Sequence, residues 1–276
     1  MPRKKVLLTV TTYPLPSRSY DELVCTAGLL ENGEWIRIYP MPLSFLNVLK
    51  REGKIAQTKY TWIELDLKER TDDFRPESYS PQDYEFKDLV IGETIDTKSN
   101  WLLRKQFCLH NVYANLQTLI DESKEPKNKS LATFKPTKIH KLIIEKDEDD
   151  WKPVWKALQN QMTLFPNENN TEKEPFPKVP YKFKYKFEDE TGKISNLMIE
   201  DWEIGQLYWN CLKNANGNEE LALEKVREQY ETNFINNKDL YFFLGTTKEW
   251  HTRRSKNPFV IIGVFYPKKE MQTQLF

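Results

Sequence analysis

The first third of the chain alternates short apolar runs with turn signals, a pattern typical of β-strands. Three segments have this pattern: residues 5–13, 34–39 and 60–68. Asn32 and Gly33 favour a turn just before the second of them. Residues 20–30 fit either a short helix capped by Ser19 or a strand that runs into this turn. We therefore predict a β-rich N-terminal region.

The rest of the chain mixes helical and strand periodicity. Apolar residues at helical spacing predict helices in the second half of 101–125, over about 151–162, after Asp201, and over about 219–233. Strands are predicted at 137–145, 181–187, 194–199, 240–244 and 259–266. Four prolines and no aliphatic residue before Val179 make 166–180 a linker.

These elements predict an α+β protein, with a mostly antiparallel β-sheet or a small β-barrel and several packed helices. Five segments are expected along the chain: a β-rich domain at 1–125, a strand–helix segment at 131–165, the linker at 166–180, a ββααββ domain at 181–267 and a tail at 268–276.

Composition excludes several classes of protein. With 39% hydrophobic and 13% aromatic residues the chain is not disordered, and it has no apolar run long enough to span a membrane. Its three cysteines give no disulfide or metal-ligand spacing, so we expect a cytoplasmic protein without a bound metal or cofactor. The 41 Lys and Arg balance the 41 Asp and Glu, so nucleic acid would have to bind at local basic patches.

A pentapeptide of the form Gln-x-x-Leu-Phe occurs twice. The six defining residues are Gln161, Leu164, Phe165, Gln272, Leu275 and Phe276. Both copies resemble the peptide by which bacterial replication and repair proteins bind the DNA sliding clamp, with Leu-Phe in an apolar pocket and Gln at its entrance. A short exposed peptide suits this role, because few residues must be ordered while two apolar side chains supply affinity. A helix end and an untethered terminus are the structural alternatives.

Two basic segments are candidates for binding phosphates. Lysines alternate with aromatic residues in one strand, and a second basic stretch lies between the last two strands. The candidate residues are Lys178, Lys182, Lys184, Lys186, His251, Arg253, Arg254 and Lys256. A half-buried strand with lysines in water, and a solvated hairpin tip, explain the same patterns without a ligand.

Candidates for catalysis are weaker. Glu64, Asp66 and Lys68 lie on one face of a predicted strand, and their Asp-x-Lys resembles part of a Mg²⁺-dependent nuclease site. An exposed charged strand face explains the same spacing. Glu200, Asp201 and Glu203 have metal-ligand character, but Asp201 is better explained as a helix cap.

Several short motifs resemble those of a family of bacterial proteins of uncharacterised activity. They are Thr11-Thr12-Tyr13-Pro14, Trp35 to Pro40, Arg75-Pro76-Glu77-Ser78, Asp201-Trp202-Glu203 and Gly263 to Pro267. Relatives carry a Cys and His cluster between the equivalents of Phe187 and Asp201, and this chain has neither residue type there. The closing strand–loop–strand also resembles small β-barrels of the PUA or ASCH type, which bind RNA or modified bases.

These observations predict a DNA-associated protein that docks on the sliding clamp and acts in repair, replication or defence against foreign DNA. DNA is favoured over RNA as the nucleic acid. The alternatives are a Mg²⁺-dependent nuclease and a PUA-like module that binds RNA or a modified base.

Overall fold

A computed structural model describes residues 3–12, 23–42, 58–150 and 177–270. The chain forms two compact units. Unit 1 combines residues up to 95 with residues 144–182, and unit 2 combines residues 96–143 with the chain from 183 onward. The units thus divide the chain at residue 95, whereas the sequence pattern placed a domain end at 125.

Unit 1 contains a small closed β-barrel. Its strands are β1 (Arg3–Thr11), β2 (Leu23–Leu30), β3 (Trp35–Pro42), β4 (Thr61–Glu69), β5 (Ser78–Pro81) and β6 (Val90–Thr94). The hydrogen-bonded order is β1-β2-β3-β5-β4, and β4 pairs back to β1, so five strands close the barrel while β6 extends β4. Only the β3–β5 pairing within this barrel is parallel. Of residues 20–30, which fitted either a helix or a strand, the described part, 23–30, is strand β2.

Alternation in β4 shows how the sequence builds the barrel wall. Ile63, Leu65 and Leu67 are buried, whereas the intervening charged side chains at 64, 66 and 68 are partly exposed. Successive side chains of a strand point to opposite faces, so one face supplies the core. A close approach to β1 requires a glycine at Gly28, because a Cβ there would lie 2.3 Å from the Leu7 carbonyl oxygen.

Buried polar groups tie a loop to the barrel. Asp73 accepts two hydrogen bonds from the Arg75 guanidinium, at 2.9 and 2.6 Å. Arg37 of β3 is buried and donates to the Ser78 hydroxyl at 3.2 Å. Burial alone would raise the pKa of Asp73, but the hydrogen bonds and charge of Arg75 hold that pKa well below its usual range. The motifs around Arg37 and Arg75 therefore meet in a structural network.

Unit 2 packs helices against two further sheets. Its elements are α1 (Lys98–Cys108), β7 (Val112–Tyr113), α2 (Leu116–Glu122), β8 (Leu131–Phe134), β9 (Lys138–Lys146), β10 (Tyr181–Glu188), β11 (Ile194–Met198), α3 (Trp202–Asn214), α4 (Glu219–Arg227), a π-helical turn (Glu228–Asn233), α5 (Phe234–Asn237), β12 (Tyr241–Thr246), α6 (Lys248–Thr252) and β13 (Phe259–Phe265). The sheets have the orders β11-β10-β9 and β13-β12-β8-β7. Together with the barrel, these elements confirm the predicted α+β class.

Aromatic side chains form the core of unit 2. The Tyr185 ring of β10 stacks on Phe242 of β12 at 5.4 Å, and Phe187 meets Phe242 edge-on at 5.3 Å. The Tyr185 hydroxyl donates to the Tyr230 carbonyl, so its polar atom is satisfied. The aromatic face of the alternating strand is therefore core, as the sequence predicted for Phe183 and its neighbours.

The helix predicted in the second half of 101–125 is confirmed as α2 (Leu116–Glu122), and a further helix, α1 (Lys98–Cys108), precedes it. Residues 99–101 of α1 have positive φ angles of 48°, 52° and 64°, and α1 ends at Cys108. Trp101 packs on Phe265 and Tyr266, and Asn100 bonds twice to Lys268, so tertiary contacts hold this left-handed turn. Local periodicity could not show it, because the stabilising partners lie about 165 residues away in the chain.

An aspartate organises the β10–β11 turn. The Asp189 carboxylate accepts hydrogen bonds from the backbone of Thr191, Lys193 and Leu116, at 2.9, 3.2 and 3.2 Å, and from the Thr191 hydroxyl. Leu116 is the first residue of α2, so Asp189 joins the turn to that helix. One buried carboxylate thus orders the β10–β11 turn and joins it to α2.

Candidate nucleic-acid interface

The connection between β12 and β13 in unit 2 carries the second basic stretch. The sequence predicted a loop here, but residues 248–252 form the short helix α6. Thr247 caps it, because its hydroxyl accepts a hydrogen bond from the Trp250 N–H at 3.2 Å. The basic residues therefore lie on and just after a structured turn.

His251 fixes this turn to the body of unit 2. Its ring is 7% exposed, with Nδ1 hydrogen-bonded to the Thr246 hydroxyl at 3.0 Å and Nε2 to the Ser123 carbonyl. The ring is buried and both of its nitrogens are hydrogen-bonded, and a contact of His251 with phosphate stays a prediction. His251 anchors the neighbouring residues.

The end of α6 has the geometry of a Schellman motif. The Ser255 N–H donates to the Trp250 carbonyl, and the Arg254 N–H donates to the His251 carbonyl. Arg254 occupies the left-handed position of this motif, with a φ of 51°. Glycine is the usual residue at that position because it has no Cβ, so an arginine there is strained.

The side chains around α6 combine cations with an exposed indole. Lys248, Arg253, Arg254 and Lys256 are exposed, against one carboxylate, Glu249. Glu249 pairs with Arg253 at 2.9 Å, but both side chains are more than 60% exposed, so the pair is weak. The Trp250 side chain is 56% exposed. We call residues 248–256 the α6 surface.

The lysines just before and at the start of β10 lie in the part of the chain that belongs to unit 1, and they form ion pairs. Lys178 and Lys182 both pair with Asp147, at 3.0 and 2.7 Å. Burial raises the pKa of Asp147, but hydrogen bonds from the two lysines outweigh it and lower the pKa to about 2. Asp147 therefore pairs with two of the four lysines of the predicted patch and offsets one of their two positive charges.

Lys184 and Lys186 lie further along β10, opposite Met198 and Asn196 of β11. Both lysines are partly exposed on the face away from the aromatic core. Their predicted role in binding phosphates stays a prediction.

The nuclease candidates lie on the barrel wall of unit 1. The Arg3 guanidinium lies 3.7 Å from Glu64 and 3.8 Å from Asp66, and Lys68 stands over the Tyr84 ring at 5.8 Å. Among the described residues, no group of three or more His, Cys, Asp or Glu side chains could hold a metal ion. These contacts are those of a charged strand face, and the nuclease interpretation stays a prediction.

The acidic motif before α3 is a helix cap. The Asp201 carboxylate accepts from the Glu203 N–H at 3.2 Å, as predicted. Glu200, just before it, has its pKa raised to about 7 by burial.

Sequence reasoning missed Trp250. An aromatic residue inside a basic run between two apolar strands was the available signal, but exposure of the indole depends on the anchoring of His251. Both Gln-x-x-Leu-Phe peptides lie outside the described residues. No helix in the described part of the chain is long and apolar enough to cross a membrane.

Two family models cover this two-unit chain. The model described as Domain of unknown function (DUF8757) matches residues 111–276, and Domain of unknown function (DUF8758) matches residues 2–110. The first covers more than half of the chain, so the chain belongs to the DUF8757 family.

The other two comparisons add little. No curated protein matches the chain. Among solved structures, the chain is similar to one described as "Structure of murine DNA binding protein bound with ds DNA", with 9% identity, a TM-score of 0.29 and 100% of both chains covered. A similarity at this TM-score supports no inference about fold or function.

Proposed function

We propose that this protein binds DNA through the α6 surface while it docks on the bacterial sliding clamp through its Gln-x-x-Leu-Phe peptides. The expected roles are repair, replication or defence against foreign DNA. The observation that carries the DNA-binding part is the group of four exposed cations around α6, held on a turn that His251 anchors.

The exposed cations around α6 matter because the chain as a whole carries no net charge. Lys and Arg equal Asp and Glu in number, and some of the cations pair with carboxylates, as Lys178 and Lys182 do. Arg254 and Lys256 form no ion pair among the described residues. Cations without such partners attract phosphates most strongly, and their contacts release counterions from DNA.

Binding of fluorescently labelled DNA tests this part of the proposal. Reversing one charge, Arg254→Glu, should weaken binding several-fold, since it removes one phosphate contact and adds repulsion. The neutral variant Arg254→Gln should lower the slope of log K against log salt by about one unit. Lys213→Glu is the matched control, because Lys213 is an exposed lysine of the same unit at the end of α3. Equal loss of affinity in the control, or none in Arg254→Glu, would exclude the α6 surface.

Clamp docking rests on the two peptides. Deleting 272–276 and changing Leu164 and Phe165 to Ala should abolish co-purification with the sliding clamp, while DNA binding persists. Weak intrinsic DNA affinity, about micromolar at physiological salt, suits a clamp-tethered protein because the tether raises the local concentration. Undiminished clamp binding in the combined variant would refute this part.

A PUA-like module that binds RNA or a modified base is the second candidate. The closed five-stranded barrel of unit 1 is the observation that favours it, although the resemblance to PUA and ASCH barrels came from the closing strand–loop–strand, which belongs to unit 2. RNA should then outcompete DNA of the same sequence for the protein. This result would separate the second candidate from the first.

A further inference from the structure

Trp250 is exposed, and hydrogen bonds to its backbone N–H and carbonyl hold it in place. Its N–H donates to the Thr247 hydroxyl and its carbonyl accepts from the Ser255 N–H, so neither end of the residue is free to turn inward. The next residue, His251, points into the core and is bonded there through both ring nitrogens. The direction of His251 therefore leaves the indole on the solvent side of α6.

Arg253 and Arg254 follow Trp250 at three and four residues. Arg253 has a helical φ of −74° at the C-cap of α6, so its side chain is the i, i+3 neighbour of the indole, whereas Arg254 follows at the left-handed position just beyond the helix. The strain at Arg254 is a second observation. Its left-handed φ of 51° favours glycine, and residues in such conformations concentrate at binding sites.

A flat aromatic ring beside two arginines matches the chemistry of a nucleotide with an unstacked base. The indole offers a face on which a base can stack, and the guanidinium groups bind the adjoining phosphates. In a duplex the bases are stacked on one another and their faces are not accessible. Duplex DNA would therefore use only the cations of the α6 surface, whereas single-stranded DNA would use the cations and Trp250.

We propose that Trp250 is a stacking residue and that the α6 surface preferentially binds single-stranded DNA. This inference rests on the proposed DNA-binding function and names its substrate class. DNA is chosen over RNA because docking on the sliding clamp, as proposed above, would hold the protein at DNA.

The test compares the full-length protein with Trp250→Ala and Trp250→Phe, using anisotropy of labelled single strands of about 16 nucleotides, within the usual range of single-strand sites. Trp250→Ala should weaken single-strand binding by about fivefold or more, since stacking contributes roughly that much per base. Duplex binding should change by less than about twofold, because phosphate contacts alone remain. Trp250→Phe keeps an aromatic face and should retain most of the single-strand affinity.

A second readout reports on the indole itself. Single-stranded DNA should quench tryptophan emission in the wild type, and Trp250→Phe should lose that component although the other seven tryptophans remain. Because Trp250 is exposed, its replacement should leave the melting temperature unchanged within about 2 °C.

The outcomes separate the two proposals. If Trp250→Ala binds single strands normally while Arg254→Glu binds poorly, the stacking inference is overturned and the DNA-binding function stands. Equal loss for single strands and duplex would overturn the stated preference. If neither DNA form binds the wild type, the proposed function itself fails. Tighter, equally Trp250-dependent binding of single-stranded RNA would overturn the choice of DNA.

Discussion

Replacing Arg254 with glycine separates a binding role from a structural one. The Arg254 backbone is left-handed, with a φ of 51°, and such a conformation costs a residue with a Cβ about 1–2 kcal/mol. Glycine removes that cost but adds about 0.5–1 kcal/mol of unfolded-state entropy. We therefore expect Arg254→Gly to stabilise unit 2 by a net of about 0.5–1 kcal/mol while it weakens DNA binding.

The matched control is the neighbouring residue. Arg253 has an ordinary helical φ of −74°, so Arg253→Gly removes the same charge without relieving any strain. It should destabilise the protein by about 0.5–1 kcal/mol, because glycine is a poor helix former. Both variants should lower the salt dependence of DNA binding by about one phosphate contact.

Thermal unfolding and DNA titration together measure these effects. In a protein of this size 1 kcal/mol corresponds to about 2–4 °C, so Arg254→Gly and Arg253→Gly should shift the melting temperature in opposite directions. A melting temperature lowered equally in both variants would refute the strain argument. A stabilised Arg254→Gly with undiminished DNA affinity would show that Arg254 does not bind phosphate.

Three further variants probe charged groups elsewhere. Burial raises the folded-state pKa of Glu200 to about 7, so the folded protein binds the extra proton and stability should fall as pH rises from about 4.5 to 7; Glu200→Gln should flatten that decline in urea unfolding curves. Asp189→Ala should cost about 1–3 kcal/mol in the same assay, because backbone donors at the turn and at α2 lose their acceptor. Asp147 has its pKa lowered to about 2, so its pairing with Lys182 stabilises above the unfolded pKa near 4; Asp147→Asn should remove stability lost on acidification from about pH 4 to 2.

The strands and helices of this fold were largely visible in the sequence, because local patterns encode them. The alternation of side-chain types along the chain predicted β4 and β10, and the cap residue Asp201 predicted the start of α3. Closure of the barrel was only one of two predicted options, because it depends on pairing between β1 and β4, which are about 50 residues apart. The left-handed turn in α1 was also beyond local reasoning, since Asn100 and Trp101 are held by residues near 268.

The positions of the charged residues at the candidate site could be predicted from the sequence. Whether each charged side chain forms an ion pair could not. Counting lysines placed Lys178 and Lys182 in a phosphate-binding patch, and only the fold shows that both pair with Asp147. Ion pairing of this kind joins residues about 30 positions apart, and no sequence window reveals it. Arg253 and Arg254 were found correctly as an exposed basic pair, because a turn between two apolar strands is accessible by default.

His251 shows why the same default misleads for a single residue. A histidine among basic residues is expected to contribute to the same phosphate-binding surface. An imidazole in a turn can instead be buried and hold the turn in place through hydrogen bonds. Here the ring has two buried hydrogen-bond partners, Thr246 and Ser123, and the second lies 128 residues earlier in the chain. The buried His251 side chain holds the turn in place. Its neighbours Trp250 and Arg254 are exposed to solvent. Under the proposed function, accessibility of the α6 surface therefore depends on His251, which is itself buried.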